Sequence, residues 1–240
     1  MNVDVRLDRY QRIVVLTGAG ISVASGLKPY RGPGGLWTEG GDATLATLEG
    51  FHADPDASWA LFGPLRRAAR VASPNPAHEA LAALERRCEG RVTVVTQNVD
   101  GLHQRAGSSD VIEIHGSVFR SRCADVACTQ PVVDDDTYEG VVPRCPRCGG
   151  ALRPDVVFFG EALPVDEEWA VKRALREVDL FLAVGTSGTV SPASSYARSA
   201  AYNEARTIYV NLEPMDPPNP YFQETHLGPA EDVLPAILDR

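Results

Sequence analysis

The chain has 240 residues, 44% of them hydrophobic and 23% charged, with a formal net charge of −9. These values suit one globular domain, or one domain with a small insertion, and exclude a basic nucleic-acid footprint as the organising theme. The N-terminal residues carry no apolar stretch and the most apolar run, Leu180–Val184, falls far short of the ~20 residues that cross a bilayer, so a cytoplasmic protein without membrane or nucleic-acid partners is expected.

In chain order, Ile13–Leu16 is a short apolar run that leads into Gly18-Ala19-Gly20. Gly32–Pro76 is rich in Gly, Pro, Asp and Ala, with one helical patch over Ser58–Val71. Ala77–Arg87 follows Pro76 as an amphipathic helix. Val92–Val95 and Val111–Ile114 are the next apolar runs, and Cys123–Gly150 interrupts the rhythm. Val156–Phe159, Leu180–Val184 and Ile208–Val210 complete the set. Helical patterns lie at Trp169–Glu177, Ser194–Ala205 and Glu231–Asp239. The apolar runs are rich in β-branched residues and read as buried parallel strands. Their alternation with helices predicts an α/β fold built on a doubly wound, Rossmann-like parallel sheet. The two interruptions predict a smaller domain, made of a helical module at 33–74 and a zinc module at 119–151. Residues 1–32, 75–118 and 152–240 are left to the Rossmann-like domain.

Four of the five cysteines fall in one segment, as Cys123-x4-Cys128 and Cys145-x2-Cys148. Pairs of thiolates on tight turns give a tetrahedral zinc site, and four sulfurs leave no open coordination position. The metal is therefore expected to be structural, supplying folding energy that the polar stretch between the pairs cannot. Gly149 and Gly150 are expected to let the second pair turn with positive φ. Cys88 has no partner at metal spacing and reads as a buried thiol.

A strand that ends in Gly-x-Gly before a helix suits a pyrophosphate, because glycine admits close backbone approach and a helix N-terminus favours anions. The pattern is not GxGxxG, since Val23 stands at the third glycine position, and a tight structural turn remains an equal reading. Gly185-Thr186-Ser187 and Asn211-Leu212-Glu213 end two further strands at the same sheet edge, where Asn211 or Glu213 could bond ribose hydroxyls. Gln97, Asn98 and Asp100 end one strand, and His115 ends the next. A carboxylate, an amide and an imidazole thus converge at one edge, with the imidazole able to act as general base.

The motifs GAGISVASGL, YRGPGGLW, TQNVDGLHQRAGS, EIHGS, the four-cysteine module, RPDVVFFGE and GTSGTVSPAS, in this order, resemble the sirtuin family of NAD-dependent protein-lysine deacylases. The resemblance implies a cleft between the two domains that NAD and an acyl-lysine peptide enter from opposite sides. It implies that Gly18, Ala19, Gly20, Ser22 and Arg31 hold the pyrophosphate and nicotinamide-ribose end, with Trp37 among the cofactor contacts. Gln97, Asn98 and Asp100 line the nicotinamide pocket. Gly185, Thr186, Ser187, Asn211, Leu212, Glu213 and Ala230 hold the adenosine half. His115, with Asn98 and Asp100, forms the catalytic set. The resemblance further implies that NAD is consumed, with the acyl oxygen attacking C1′ of the nicotinamide ribose as nicotinamide leaves, and with free lysine and O-acyl-ADP-ribose as products. The strand Val156, Val157, Phe158 and Gly160 resembles the one on which substrate peptides lie by β-augmentation.

The wording is most similar to the subgroup that includes desuccinylases, whose Tyr-x-x-Arg pair binds an acyl carboxylate. Here Phe62 and Leu65 stand at those positions, so neutral acyl groups are expected; a slip of the alignment would instead bring Arg66 or Arg67 into play. Lys28-Pro29-Tyr30 departs from the commoner Pro-Asp-Phe. Desuccinylation or demalonylation, and mono-ADP-ribosyl transfer from the same NAD site, remain alternative readings. An NAD-sensing module without activity is disfavoured by the presence of His115, Asn98 and Asp100. The expected partners are acylated lysines of proteins, and the expected state is a monomer.

Overall fold

In β1 (Ile13–Thr17) all five residues are buried, because this strand sits in mid-sheet with helices on both faces. The computed structural model describes residues 5, 7–30, 35, 42–134, 140–188 and 190–238. β1 pairs in parallel with β2 (Val92–Thr96) on one side, Ile13 opposite Val92, and β2 pairs with β3 (Val111–Glu113). Between them lie the short α1 (Leu48–Ala53), α2 (Pro55–Val71), α3 (Pro76–Arg87) and α4 (Leu102–Ala106).

β4 (Gly116–Cys123), β5 (Val133–Asp134) and β6 (Leu152–Val156) form a separate three-stranded antiparallel sheet, in the order β5-β4-β6. The chain then returns through α5 (Val165–Arg176) to β7 (Leu180–Val184), which pairs with β1, Ile13 opposite Leu180. α6 (Tyr196–Tyr202), β8 (Arg206–Asn211), β9 (Glu224–Leu227) and α7 (Ala230–Leu238) complete the chain. The large sheet is six-stranded and parallel, in the order β3-β2-β1-β7-β8-β9. The order reverses at β1, so the connections leave on opposite faces and open a crevice at the strand C-termini.

The alternation along β1 divides the core. Ile13 and Val15 pack with Leu81, Leu84, Leu234 and Leu238 from α3 and α7. Val14 and Leu16 pack with Val171, Leu175, Ala197 and Ala200 from α5 and α6. A third core, with Phe51, Trp59, Phe62, Val118, Val156 and Phe158, joins α1 and α2 to the small sheet. The Trp59 indole donates to Leu152 O at 2.9 Å, which ties the helical module to β6.

One expected strand is corrected. Val156–Phe159 is not a parallel strand of the large sheet: only Val156 is in a strand, at the end of antiparallel β6, opposite Gly116. Its partner β4 reads GSVFRSRC, too polar to register as a strand from apolar pattern alone. The pairing also breaks register between Ser117 and Ser121, where Pro154 has no amide to donate. β9 was invisible for a similar reason: as an edge strand it alternates half-buried and exposed residues, Glu224-Thr225-His226-Leu227. α5 begins four residues before the expected Trp169, with Asp166, Glu167 and Glu168 in its first turn, where carboxylates meet the positive end of the helix dipole. Among the described residues no helix is long and apolar enough to cross a membrane.

The four cysteines meet at one end of the small sheet, their sulfurs all within 4.8 Å of one another. Cys123 and Cys148 Sγ are 3.5 Å apart, and Cys128 and Cys145 Sγ 3.8 Å. Sulfurs placed ~2.3 Å from a tetrahedral zinc are separated by about 3.8 Å, so the donor set fits one structural zinc. Of the two glycines, only Gly149 takes positive φ, at 74°. Gly150 does not, and a Cβ there would meet Cys148 Sγ at 3.3 Å, a tight contact rather than a forbidden one. The protein is expected to carry about one zinc per chain. Cys128→Ser should lower both bound zinc, by metal analysis, and the melting temperature; full zinc and unchanged melting in that variant would remove Cys128 from the ligand set.

Candidate active site

Two strand ends touch through backbone at the switch point. The amide of Gly18 donates to Val184 O at 3.0 Å and that of Gly20 to Gly185 O at 2.9 Å. A Cβ on Gly20 would lie 2.7 Å from Gly185 Cα, and one on Gly185, at φ +60°, would lie 2.4 Å from the Ile21 amide nitrogen. Glycine is thus required here by the crossing of two chains, and two amides of the loop are already engaged. The helix that follows is a seven-residue 3-10 helix, Ala19–Ser25, rather than the α-helix start that the Gly-x-Gly pattern predicts.

Above this crossing lies a cavity of about 950 Å³. Gly18, Ala19, Gly20, Gln97, Asn98 and His115 line one part of it. Gly185, Thr186, Ser187, Asn211, Leu212, Glu213 and Ala230 line another, and Phe62, Val156, Val157, Phe158 and Gly160 a third. The cavity therefore gathers most of the residues singled out from the sequence. Ser22, Asp100 and Leu65 do not line it, and Arg31 and Trp37 lie outside the described residues. The cysteines are not part of its wall, in keeping with a structural metal.

Hydrogen bonds between strand ends orient Gln97, His115 and Asn98 at the cavity edge. Gln97 donates through Nε2 to Thr186 Oγ1 at 3.0 Å, linking the ends of β2 and β7. Its carbonyl accepts a bond from His115 Nδ1 at 3.0 Å. A carbonyl only accepts, so Nδ1 carries the proton and Nε2 keeps a lone pair. Burial pushes the His115 pKa down, partly opposed by that same carbonyl. Next to it, Gly116 takes φ +78°, and a Cβ there would fall 2.0 Å from Asp155 O. Glycine is demanded by the close β4–β6 pairing, which fixes the turn between β3 and β4 that carries His115.

Asn98 Nδ2 donates to Gly18 O at 3.1 Å and to Ser22 Oγ at 3.2 Å, which fixes its amide orientation. Asn98 Oδ1 is then a buried acceptor with no partner among the described residues. An unpaired buried acceptor on a cavity wall is costly alone and suits a hydroxyl donor of a bound dinucleotide. Behind it, Ser22 Oγ donates to Asp100 Oδ2 at 2.8 Å and the Leu102 amide to Oδ1 at 3.0 Å. Burial raises the Asp100 pKa, with the Leu102 amide and Ser22 hydroxyl pulling the other way. Ser22 and Asp100 thus stand behind Asn98, not in the cavity.

The sequence did not single out several residues of this layer. Thr17 Oγ1 lies 2.9 Å from both Thr96 Oγ1 and His103 Nε2. His78 Nε2 lies 3.4 Å from Ser22 Oγ, and its ring centroid is 5.0 Å from that of His103. Burial depresses His78 to about 4 and His103, aided by His78, to about 3, so both are neutral near pH 7. At the ends of β7 and β8, Tyr209 donates to Thr186 O at 3.0 Å and accepts from Asn211 Nδ2. An Asn-Pro-x-His start to a helix was the available signal for His78, since Asn75 caps α3.

In the segment expected to take a peptide by β-augmentation, three amides have partners within the chain. The amide of Val157 donates to His115 O at 3.0 Å, that of Phe158 to Glu161 Oε2 at 2.7 Å, and that of Phe159 to Ala46 O at 2.8 Å. Those three donors are spent within the chain.

The Sir2 family model matches residues 18–192. The chain is 45% identical over 241 residues to "NAD-dependent protein deacylase 2" of Pyrobaculum aerophilum, covering 100% of this chain and 94% of that one. Among solved structures, a Sir2 homologue in complex with NAD superposes with a TM-score of 0.88 at 35% identity, covering 97% and 90% of the two chains. Sir2Af2 bound to a myristoylated histone peptide superposes with a TM-score of 0.75 at 35% identity, covering 97% and 92%. A switch-point crevice with a half-buried histidine at its edge, a four-sulfur module that fits zinc and these likenesses along the whole chain agree: the chain belongs to the Sir2 family of NAD-dependent protein deacylases.

Proposed function

We propose that this deacylase removes neutral acyl groups from lysine side chains of proteins, and that the wall formed by Phe62 and Phe158 selects them. NAD supplies an electrophilic ribose carbon and nicotinamide as leaving group. Gly18, Ala19 and Gly20, with Gly185, Thr186, Ser187, Asn211, Leu212, Glu213 and Ala230, bind and orient the dinucleotide. Arg31 and Trp37 join them in this reading. Gln97 and Asn98 face the nicotinamide ribose. Asp100 and Ser22 act one layer back, by holding the Asn98 amide. His115 takes a proton from a ribose hydroxyl at Nε2, the nitrogen that its bond to Gln97 leaves free. The helical module, 33–74, and the zinc module, 119–151, act as one small domain that closes the cavity over the acyl-lysine. The myristoylated peptide on the Sir2Af2 relative supports a protein substrate with a long apolar acyl group.

The acyl preference rests on one observation. Phe62 and Phe158 both line the cavity, their rings stacked with centroids 5.4 Å apart. Leu65, one turn on, is half-buried in the apolar core of the small domain. Arg66 is buried but occupied: Nε donates to Val118 O at 2.6 Å, Nη2 to Ser121 Oγ at 3.3 Å, and its guanidinium carbon sits 4.8 Å from the Trp59 ring centre. Arg67 is exposed and, five positions from Phe62, points ~140° away around the helix. An acyl carboxylate on this wall is left unpaired, and desolvating it is unfavourable. Acetyl, propionyl and butyryl peptides should therefore exceed succinyl and malonyl peptides in kcat/KM by about tenfold or more. Phe62→Tyr combined with Leu65→Arg should narrow that gap; faster turnover of succinyl-lysine by the parent protein would sink the preference.

The His115 assignment has its own check. A base must be neutral to work, and burial lowers this imidazole below its ordinary value of 6.5. Activity should therefore persist below pH 6.5 and fall only as acid protonates the ring at its depressed pKa. His115→Gln should lower kcat by about a hundredfold or more while ADP-ribose still binds. An acid limb in the kcat/KM profile above pH 6.5 would contradict the assignment.

A further inference from the structure

Arg153 is one of the most buried charges in the protein, 2% exposed, yet it lies on β6 and outside the cavity wall. Its guanidinium donates through Nη1 to Glu161 Oε1 at 2.7 Å, through Nη2 to Glu161 Oε2 at 2.7 Å, and through Nη2 to Val156 O at 2.6 Å. The same guanidinium carbon stands 3.6 Å from the centre of the Phe158 ring. Glu161 also accepts the Phe158 amide at 2.7 Å and meets Arg122 Nη2 at 3.4 Å. One ion pair thus clasps both ends of the segment 156–161 and presses a cation onto the aromatic ring in its middle.

A buried charge pair is unfavourable unless its geometry satisfies it, and a fork-to-fork arginine–carboxylate pair does so best. Packing alone does not need a charge here, because an apolar side chain would fill the same space. What the pair adds is direction. It fixes the turn from Val156 to Glu161 and, through a cation–π contact, the plane of Phe158. That ring stacks on Phe62, and both face the cavity.

We propose that Arg153 is a positioning residue for the acyl-lysine site, which sets the acyl-length preference by holding Phe158 against Phe62. This inference rests on the reading that the acyl group lies along those two rings. Arg153 touches neither the dinucleotide edge nor His115, so its effect belongs to the acyl peptide and not to NAD. Lysine cannot replace it, because an ammonium has no planar fork to engage both carboxylate oxygens while lying flat on a ring.

The test compares the parent protein with Arg153→Lys and Glu161→Gln. Each is measured on acetyl-, butyryl- and decanoyl-lysine peptides, with ADP-ribose affinity and zinc content as controls. A cation–π contact of this kind predicts a rise of about threefold to thirtyfold in the acyl-peptide KM and an altered ratio of kcat/KM along the series. ADP-ribose affinity should stay within about twofold and zinc should be retained. An unchanged chain-length ratio, or parallel losses of peptide and ADP-ribose binding, would overturn the proposal. If Arg153→Lys does not fold, Glu161→Gln decides alone by the same ratio. Should the parent prefer succinyl peptides, the neutral-acyl reading fails, while the ratio of variant to parent still reports on Arg153.

Discussion

The contact on which the site depends is a backbone-to-backbone crossing at the sheet's switch point. Gly20 and Gly185 approach so closely that a methyl group on either would collide with the other strand. That approach is tolerable only because neither has a side chain. It brings the ends of β1 and β7 to one edge, and β2 is already held beside β1 by parallel pairing. Gln97 then bridges to Thr186, and its carbonyl aims the His115 ring. The position of the imidazole is thus a consequence, two bonds removed, of two glycines that must touch.

Behind that edge the protein buries polar groups that face no solvent. Ser22, Asp100, Thr17, Thr96, His78 and His103 are all buried and bonded mainly to one another or to backbone. Such a layer is unfavourable to leave unsatisfied, so it is held in one arrangement. Its neutral histidines avoid the larger penalty of burying imidazolium. Among the described residues two atoms of this layer have no partner, His103 Nδ1 and Asn98 Oδ1, and only Asn98 belongs to a residue of the cavity wall.

The small domain follows a different logic. Its sheet has three strands, and its apolar core is shared with α1 and α2, so neither part buries enough surface alone. Zinc at one end and the Trp59 and Arg66 anchors in the middle compensate. Phe62 and Phe158 are at once core residues of this domain and wall of the cavity. The same side chains therefore hold the small domain together and shape the cavity, and a polar residue at Phe62 or Leu65 is compatible with the fold only if it finds a partner there.

Much of this was legible in the chain itself. Strands buried on both faces must be apolar throughout, so β1, β2, β7 and β8 announced themselves, and with them the sheet edge that gathers Gln97, Asn98, His115 and Gly185. Paired thiols at close spacing announced the zinc module. What stayed hidden were elements whose partners were polar or exposed: β4, β6 as an antiparallel strand, and the edge strand β9. The sequence alone determined the periodic apolar runs, the ligand set and the motif order, because these depend on local spacing. Only the tertiary structure decided that Asp100 and Ser22 stand behind Asn98, that Arg66 is already engaged, and that Arg153 lies against Phe158. Those relations join residues distant in the chain, and what each side chain can do there is set by the neighbours that burial assigns to it.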